Sequence, residues 1–162
     1  MDFQGALSAL SAIPLDWIVI AAFFIIVSAD ALRSGSAHAS ALALSLPITS
    51  FLFKLVPQTI LIGSLTASFK SEIEQVIIFA IIEAILFVCF NQMFLTYDGY
   101  TSLFSAAISG LAATIVLVAV WVQVPILESL WRFDPSILGI FGTSYVFLWF
   151  LLAYFALAYV GS

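Results

Sequence analysis

Residues 73–95 read IEQVIIFAIIEAILFVCFNQMFL, a segment made mostly of large apolar side chains. A helix rises about 1.5 Å per residue, so about 20 such residues cross the hydrocarbon core of a bilayer. The segment is therefore long enough to span a membrane as a helix. Glu83 lies near the centre of this segment. A carboxyl group at that depth in the bilayer is energetically unfavourable and usually has a function.

Apolar segments of the same kind lie on both sides of this one. The sequence predicts five transmembrane helices, at about 13–32, 37–56, 73–95, 102–124 and 137–160. Residues 58–67 are apolar but too short to span, so they predict an interfacial or re-entrant segment. We therefore expect an all-α, polytopic integral membrane bundle of about five helices, in which residues 1–162 form a single transmembrane domain.

Short polar segments connect the predicted spans. Residues 96–100, TYDGY, have turn chemistry with aromatic side chains, so we expect the third and fourth spans to form a tight antiparallel hairpin. Residues 128–135 predict an interfacial loop. Three basic side chains are predicted on the same side of the membrane as the N-terminus, namely Lys54, Lys70 and Arg132, and Arg33 is predicted on the other side. Because cytoplasmic loops carry an excess of positive charge, this distribution favours a cytoplasmic N-terminus.

The composition of the whole chain excludes several functional classes. Of the 162 residues, 64% are hydrophobic and 8% are charged, whereas a soluble domain has about 25% charged residues. Soluble enzymes are therefore excluded, and a net charge of −5 offers no basic surface for nucleic acid. One histidine and one cysteine cannot form a multi-His or Cys-rich metal site. We expect no catalytic residue, no metal and no cofactor.

Three polar residues of the third span are candidates for a site inside the membrane. A carboxyl group among phenylalanines loses hydration, so we expect Glu83 to be protonated or hydrogen-bonded. It could bind a proton or cation, or it could hydrogen-bond a neighbouring helix and fix the packing. Asn91 and Gln92 could coordinate an ion or join helices, or they could cap the helix near the interface.

Small residues recur every four positions in two of the predicted spans. Such faces let helix backbones approach closely, which matters in lipid because no hydrophobic effect drives helices together. The sequence therefore predicts tight helix contacts there, without deciding whether the partner helix belongs to the same chain. The fourth span contains Ser105, Ala106, Ser109, Gly110 and Ala113, and the second span contains Ala37, Ala41 and Ser45.

Two segments resemble the colicin V production protein family of bacterial inner-membrane proteins. Residues 15–20, LDWIVI, followed by LRSG at 32–35, are similar to the opening span of that family. Residues 105–112, SAAISGLA, are similar to its small-residue-rich late span. With the spans in which these segments lie, the resemblance extends over about a third of the chain. The resemblance implies an inner-membrane location and leaves the mechanism undefined.

These observations favour a non-enzymatic membrane protein that works by helix–helix association. It would be an accessory or scaffold subunit of a larger membrane complex, with the lipid bilayer, other membrane subunits or further copies of itself as partners. The alternative is a small transporter or a proton or ion channel centred on Glu83.

Overall fold

A computed structural model describes residues 14–58, 71–94 and 102–160 of the chain. These residues form seven α-helices and one 3-10 turn, and they contain no β-strand, so the predicted all-α fold is confirmed. The helices are α1 (Leu15–Ser34), α2 (Ser36–Leu55), α3 (Glu72–Phe94), α4 (Leu103–Gln123), α5 (Pro125–Leu130), α6 (Pro135–Phe141) and α7 (Val146–Val160), and the 3-10 turn is Val56–Gln58.

Helices α1 to α4 each have the length and the apolar composition of a membrane span. Helices α6 and α7 add a fifth span if they are counted together as one broken span. Large apolar side chains on the outside of the bundle, such as Ile77, Phe104 and Phe155, are more than half exposed. Such exposure is unfavourable in water and favourable in hydrocarbon, so the protein is an integral membrane protein surrounded by lipid.

The turn between α1 and α2 consists of one residue, Gly35. Its backbone has φ 87° and ψ 165°, a region that is essentially restricted to glycine. No other described residue has a positive φ. This turn brings Asp30, near the end of α1, next to His38, near the start of α2.

Helix α4 lies at the centre of the bundle, with α1, α2 and α7 packed around it. Helix α2 packs on both α3 and α4 and therefore lies between them. Within the described residues, α3 packs mainly on α2, so the tight pairing expected of the third and fourth spans is not observed. Glu83 of α3 has its hydrogen-bond partners on α2, which favours packing of α3 against α2.

The predicted fifth span, 137–160, is divided into two helices. Helices α6 and α7 are bent by 70° relative to each other, with residues 142–145 forming the break. The indole N–H of Trp149 donates a hydrogen bond to the carbonyl of Ile140 at 2.7 Å. The ring of Trp149 also stacks on Phe141, with 5.0 Å between centroids. Hydropathy alone could not reveal the bend, because both arms are apolar.

The segment predicted as a loop at 128–135 is partly helical. Pro125 begins α5, which continues to Leu130 and leaves residues 131–134 as the connection to α6. Asp134 caps α6 by accepting a hydrogen bond from the backbone N–H of Ser136 at 2.9 Å. Side-chain and backbone hydrogen bonds from Ser136 lower the pKa of Asp134. The interfacial segment at 58–67 and the turn at 96–100 lie outside the described residues, apart from Gln58.

Candidate functional site

Glu83 lies in the middle of α3 and faces α2. Its Oε1 accepts a hydrogen bond from the hydroxyl of Ser45 at 2.6 Å, and its Oε2 accepts one from the hydroxyl of Thr49 at 2.7 Å. Ser45 and Thr49 have no exposed surface and are one helical turn apart, so both hydroxyls reach the same carboxyl group. Each carboxyl oxygen thus has a partner inside the bundle, as polar groups away from water require.

The Ser45 hydroxyl also lies 3.1 Å from the backbone carbonyl oxygen of Leu42. A serine has one hydroxyl hydrogen, which cannot serve both acceptors fully when Glu83 is ionised. If Glu83 is protonated on Oε1, that proton is donated to Ser45 Oγ and the Ser45 hydrogen is free for Leu42. Thr49 continues to donate to Oε2. The arrangement therefore provides a complete set of hydrogen bonds for a protonated Glu83.

A cavity of about 400 Å³ lies beside Glu83, between α1, α2 and α3. Each of these helices contributes one ionisable group to the lining, namely Asp30, His38 and Glu83. The rest of the lining is apolar and includes Leu42 and Phe87. The volume is within the range of small-ligand sites and is ample for several water molecules.

Asp30 and His38 form a pair at one end of this cavity. Nδ1 of His38 lies 3.0 Å from Oδ2 of Asp30, and Ser34 donates a hydrogen bond to Oδ1 at 3.4 Å. The His38 ring meets the edge of Phe87, with 6.0 Å between centroids. The side chains of His38 and Asp30 are 27% and 49% exposed, so both can be reached from outside the bundle.

The cavity connects this exposed pair with the interior. Seven residues separate His38 from Ser45 along α2, which corresponds to about 10 Å of depth. Carboxyl groups inside membranes commonly mark proton pathways. The cavity therefore holds two carboxyl groups and one imidazole at two different depths.

Asn91 and Gln92 lie about two helical turns beyond Glu83 and do not contribute to the lining of this cavity. Asn91 is half-buried, and its side-chain oxygen has no hydrogen-bond partner among the described residues. Gln92 is exposed. In the described part of the chain, no group of three or more His, Cys, Asp or Glu side chains could hold a metal ion.

The small-residue faces are used for packing within the chain. Gly110 of α4 lies against Ser28 of α1, and a Cβ at position 110 would be 2.9 Å from the backbone nitrogen of Ser28. Close approach of α1 and α4 therefore depends on a glycine at this position. Five of the other small residues have no exposed surface, namely Ala41, Ser45, Ala106, Ser109 and Ala113. The remaining two, Ala37 and Ser105, are half-buried.

Sequence reasoning identified Glu83 but missed its surroundings. Thr49 follows Ser45 by four positions, so the small-residue face of α2 already contained the second hydroxyl. Asp30 and His38 are separated by eight residues with Gly35 between them, which is consistent with a tight helical hairpin. That α3 would pack on this hairpin could not be read from the local pattern.

Comparisons of the chain with known protein families, with curated proteins and with solved structures gave no match. The resemblance to the colicin V production protein family therefore stays a prediction.

Proposed function

We propose that this chain is a non-enzymatic membrane protein that carries protons across the bilayer through Glu83. The observation that supports the proposal is the convergence of Asp30, His38 and Glu83 on one cavity from three different helices. The exposed pair would exchange protons with water, and Glu83 would hold the proton inside the membrane. This develops the transporter or channel that the sequence offers as the alternative to an association role.

The hydrogen bonds around Glu83 favour a proton over a metal cation. Cations such as Ca²⁺ take about six or more oxygen ligands. Here the Ser45 and Thr49 hydroxyls lie within donor distance of the carboxyl oxygens. A cation at the carboxyl group would have to displace both hydrogen bonds, whereas a proton on Oε1 completes them.

Proton flux into liposomes containing the purified protein tests the proposal. A membrane potential set by K⁺ and valinomycin drives the flux, and a pH-sensitive dye inside the liposomes reports it. We expect flux through the wild-type protein and its loss in Glu83→Gln, because an amide cannot take up the proton. Glu72→Gln is the matched control, since it makes the same change on the same helix at an exposed position.

Circular dichroism and gel filtration would first establish that both variants fold. Wild-type flux in a folded Glu83→Gln protein would overturn the proposal, as would a wild-type rate no higher than that of empty liposomes. Asp30→Asn and His38→Gln should slow the flux without abolishing it, because they alter the entrance of the cavity and leave Glu83 in place.

Association with another subunit or with a second copy is the second proposed function, as an accessory or scaffold protein. A row of isoleucines on α3 favours it. Ile73, Ile77, Ile81 and Ile85 recur every four residues, each is more than half exposed, and Phe79 is the one buried residue of this helix. Cys89 continues the row and is exposed.

Oxidative cross-linking in native membranes should yield a Cys89-linked dimer if two copies of the chain meet along this row. Recovery of monomer alone would contradict self-association.

The bacterial inner membrane and a cytoplasmic N-terminus complete the proposal. Lys54 lies near the end of α2, and Arg132 follows α5. Both residues are near the membrane face from which α1 begins, whereas Arg33 is near the opposite face. Because cytoplasmic loops usually carry an excess of positive charge, this distribution supports a start of α1 inside the cell.

A further inference from the structure

A second cavity, of about 370 Å³, lies between α1 and α4, next to the connection that follows α5. It shares no lining residue with the cavity beside Glu83. Thr114 and Phe23 lie at its inner end, and Trp121 and Trp131 lie at its outer end. Any role of this cavity is therefore separate from proton transfer at Glu83.

Every hydrogen-bonding group on the side chains that line this cavity is already used within the protein. The indole N–H of Trp131 donates to Asp16 at 3.0 Å, and that of Trp121 donates to the backbone carbonyl of Trp131 at 2.9 Å. The Thr114 hydroxyl donates to the backbone carbonyl of Gly110 at 2.7 Å. The remaining lining is aliphatic or aromatic, so a ligand would meet hydrocarbon and ring faces.

The cavity is open to its surroundings along one side, where Val19 is 45% exposed and Trp131 is 39% exposed. Along α4 it extends from Thr114 to Trp121, about 10 Å at the helical rise. Apolar cavities exclude water and take up apolar molecules of matching size. The volume suits a single flexible chain that enters from the bilayer between α1 and α4.

We propose that this cavity is a binding site for one linear acyl chain, supplied by a phospholipid or by a free fatty acid. The chain lies along α4, with its inner end at Thr114 and Phe23 and its outer end at the two tryptophans. The hydrogen bonds of Asp16 to Trp131 and to the backbone N–H of Asp134 fix the wall at the outer end. The site recognises length and apolarity, since its lining offers no free polar group.

Quenching of tryptophan fluorescence by brominated chains tests the site in protein purified in unbrominated detergent. Trp17 and Trp149 do not line the cavity, so both are replaced by phenylalanine to leave the emission of Trp121 and Trp131. The two probes are dibromostearic acid and a phosphatidylcholine with brominated acyl chains. We expect quenching that saturates at one equivalent of at least one probe.

The matched variants are Ile20→Phe/Leu117→Phe, which fills the cavity, and Ile25→Phe/Leu111→Phe, which makes the same changes on the same helices outside it. Saturable quenching should be lost in the first pair and kept in the second. Saturation by the fatty acid alone, by the phospholipid alone or by both identifies the source of the chain. Quenching that never saturates, or that is unchanged in the filled cavity, overturns the proposal.

Discussion

Two hydroxyl groups determine the environment of Glu83, and each can be removed without a large change of shape. Thr49→Val deletes the donor to Oε2 and leaves a side chain of similar size in a fully buried position. We expect a loss of about 0.5–2 kcal/mol in the free energy of unfolding, the range of hydrogen bonds between membrane helices. Unfolding by SDS in mixed micelles measures it. Thr143→Val, at an exposed position in the break between α6 and α7, should change stability little.

The protonation of Glu83 has its own spectroscopic signature. A protonated carboxyl group gives a separate C=O stretching band in the infrared spectrum at neutral pH, and Glu83→Gln should remove it. Thr49→Val should shift the band to higher frequency, because Oε2 loses its hydrogen bond. An identical band in wild-type protein and Glu83→Gln would show that Glu83 is ionised, contrary to the hydrogen-bond arrangement of Ser45 and Leu42.

Asp16 joins the start of α1 to the segment that follows α5. Its carboxylate accepts hydrogen bonds from the Trp131 indole at 3.0 Å and from the Asp134 backbone N–H at 2.6 Å. Asp16→Asn would point an NH₂ group at one of these donors, so we expect a loss of about 1–3 kcal/mol in unfolding free energy and altered Trp131 fluorescence. Asp134→Asn is the control, because asparagine caps a helix as well as aspartate does. Equal effects of the two substitutions would argue against this role of Asp16.

At the residue scale, the sequence predicted which polar group would matter but not what surrounds it. Glu83 is conspicuous because apolar residues flank it on both sides. Asp16 lies in the first turn of α1, where a negative charge is favourable, and the local sequence indicates no other partner for it. Its real partners are more than one hundred residues away in the chain. Contacts of that range depend on how the helices pack, which local patterns do not contain.

Among the helices, the contact between α1 and α4 is sensitive to the size of the side chain at position 110. A Cβ at Gly110 would lie 3.0 Å from the Cα of Ser28, and backbone cannot rotate away as a side chain can. We expect Gly110→Ala to lower the free energy of unfolding by about 1–3 kcal/mol, the usual cost of overpacking. Gly139→Ala is the matched control, since a Cβ there meets nothing within 4 Å. Gly139→Ala should leave the free energy of unfolding unchanged or raise it by up to about 1 kcal/mol, because alanine has a higher helix propensity than glycine.

The same pair of variants separates packing from propensity. Both introduce alanine into a helix, so a general preference for alanine would stabilise both proteins. A Gly110→Ala protein at least as stable as Gly139→Ala would mean that α1 and α4 are not in close contact. The spacing of small residues predicted a close helix contact at this face. No sequence pattern predicted the bend between α6 and α7. The bend is stabilised by the hydrogen bond from the Trp149 indole to the carbonyl of Ile140 and by the stacking of Trp149 on Phe141.

For the molecule as a whole, pairs of contacting residues define the direction of each helix. Asp16 at the start of α1 meets the segment beyond the end of α4, so these two helices run antiparallel. His38 meets Phe87, and Phe53 meets Phe79, so α2 and α3 also run antiparallel. Chain direction therefore alternates from α1 to α4, as expected for successive membrane crossings.

The direction of α7 then decides between four crossings and five. Trp149, near the beginning of α7, packs against the cluster that contains Val118 and Phe133. This cluster lies towards the membrane face at which α1 begins. Further along, Tyr154 donates a hydrogen bond to the carbonyl of Ala43, about 10 Å along α2 from Ser36. Helix α7 thus runs away from the membrane face at which α1 begins. We therefore expect five crossings, with the start of α1 and the end of α7 on opposite sides of the membrane.

Cysteine labelling with a membrane-impermeant maleimide measures this arrangement. In a Cys89→Ser background, Ser71→Cys marks the face where α1 and α3 begin, and Ser102→Cys marks the face where α4 begins; both positions are exposed. A cysteine appended after Ser162 should label from the same side as Ser102→Cys, because α7 completes the fifth crossing. Labelling from the side of Ser71→Cys would mean that α6 and α7 return to the face from which they came. The polypeptide would then cross the membrane four times, and Tyr154 would not contact Ala43.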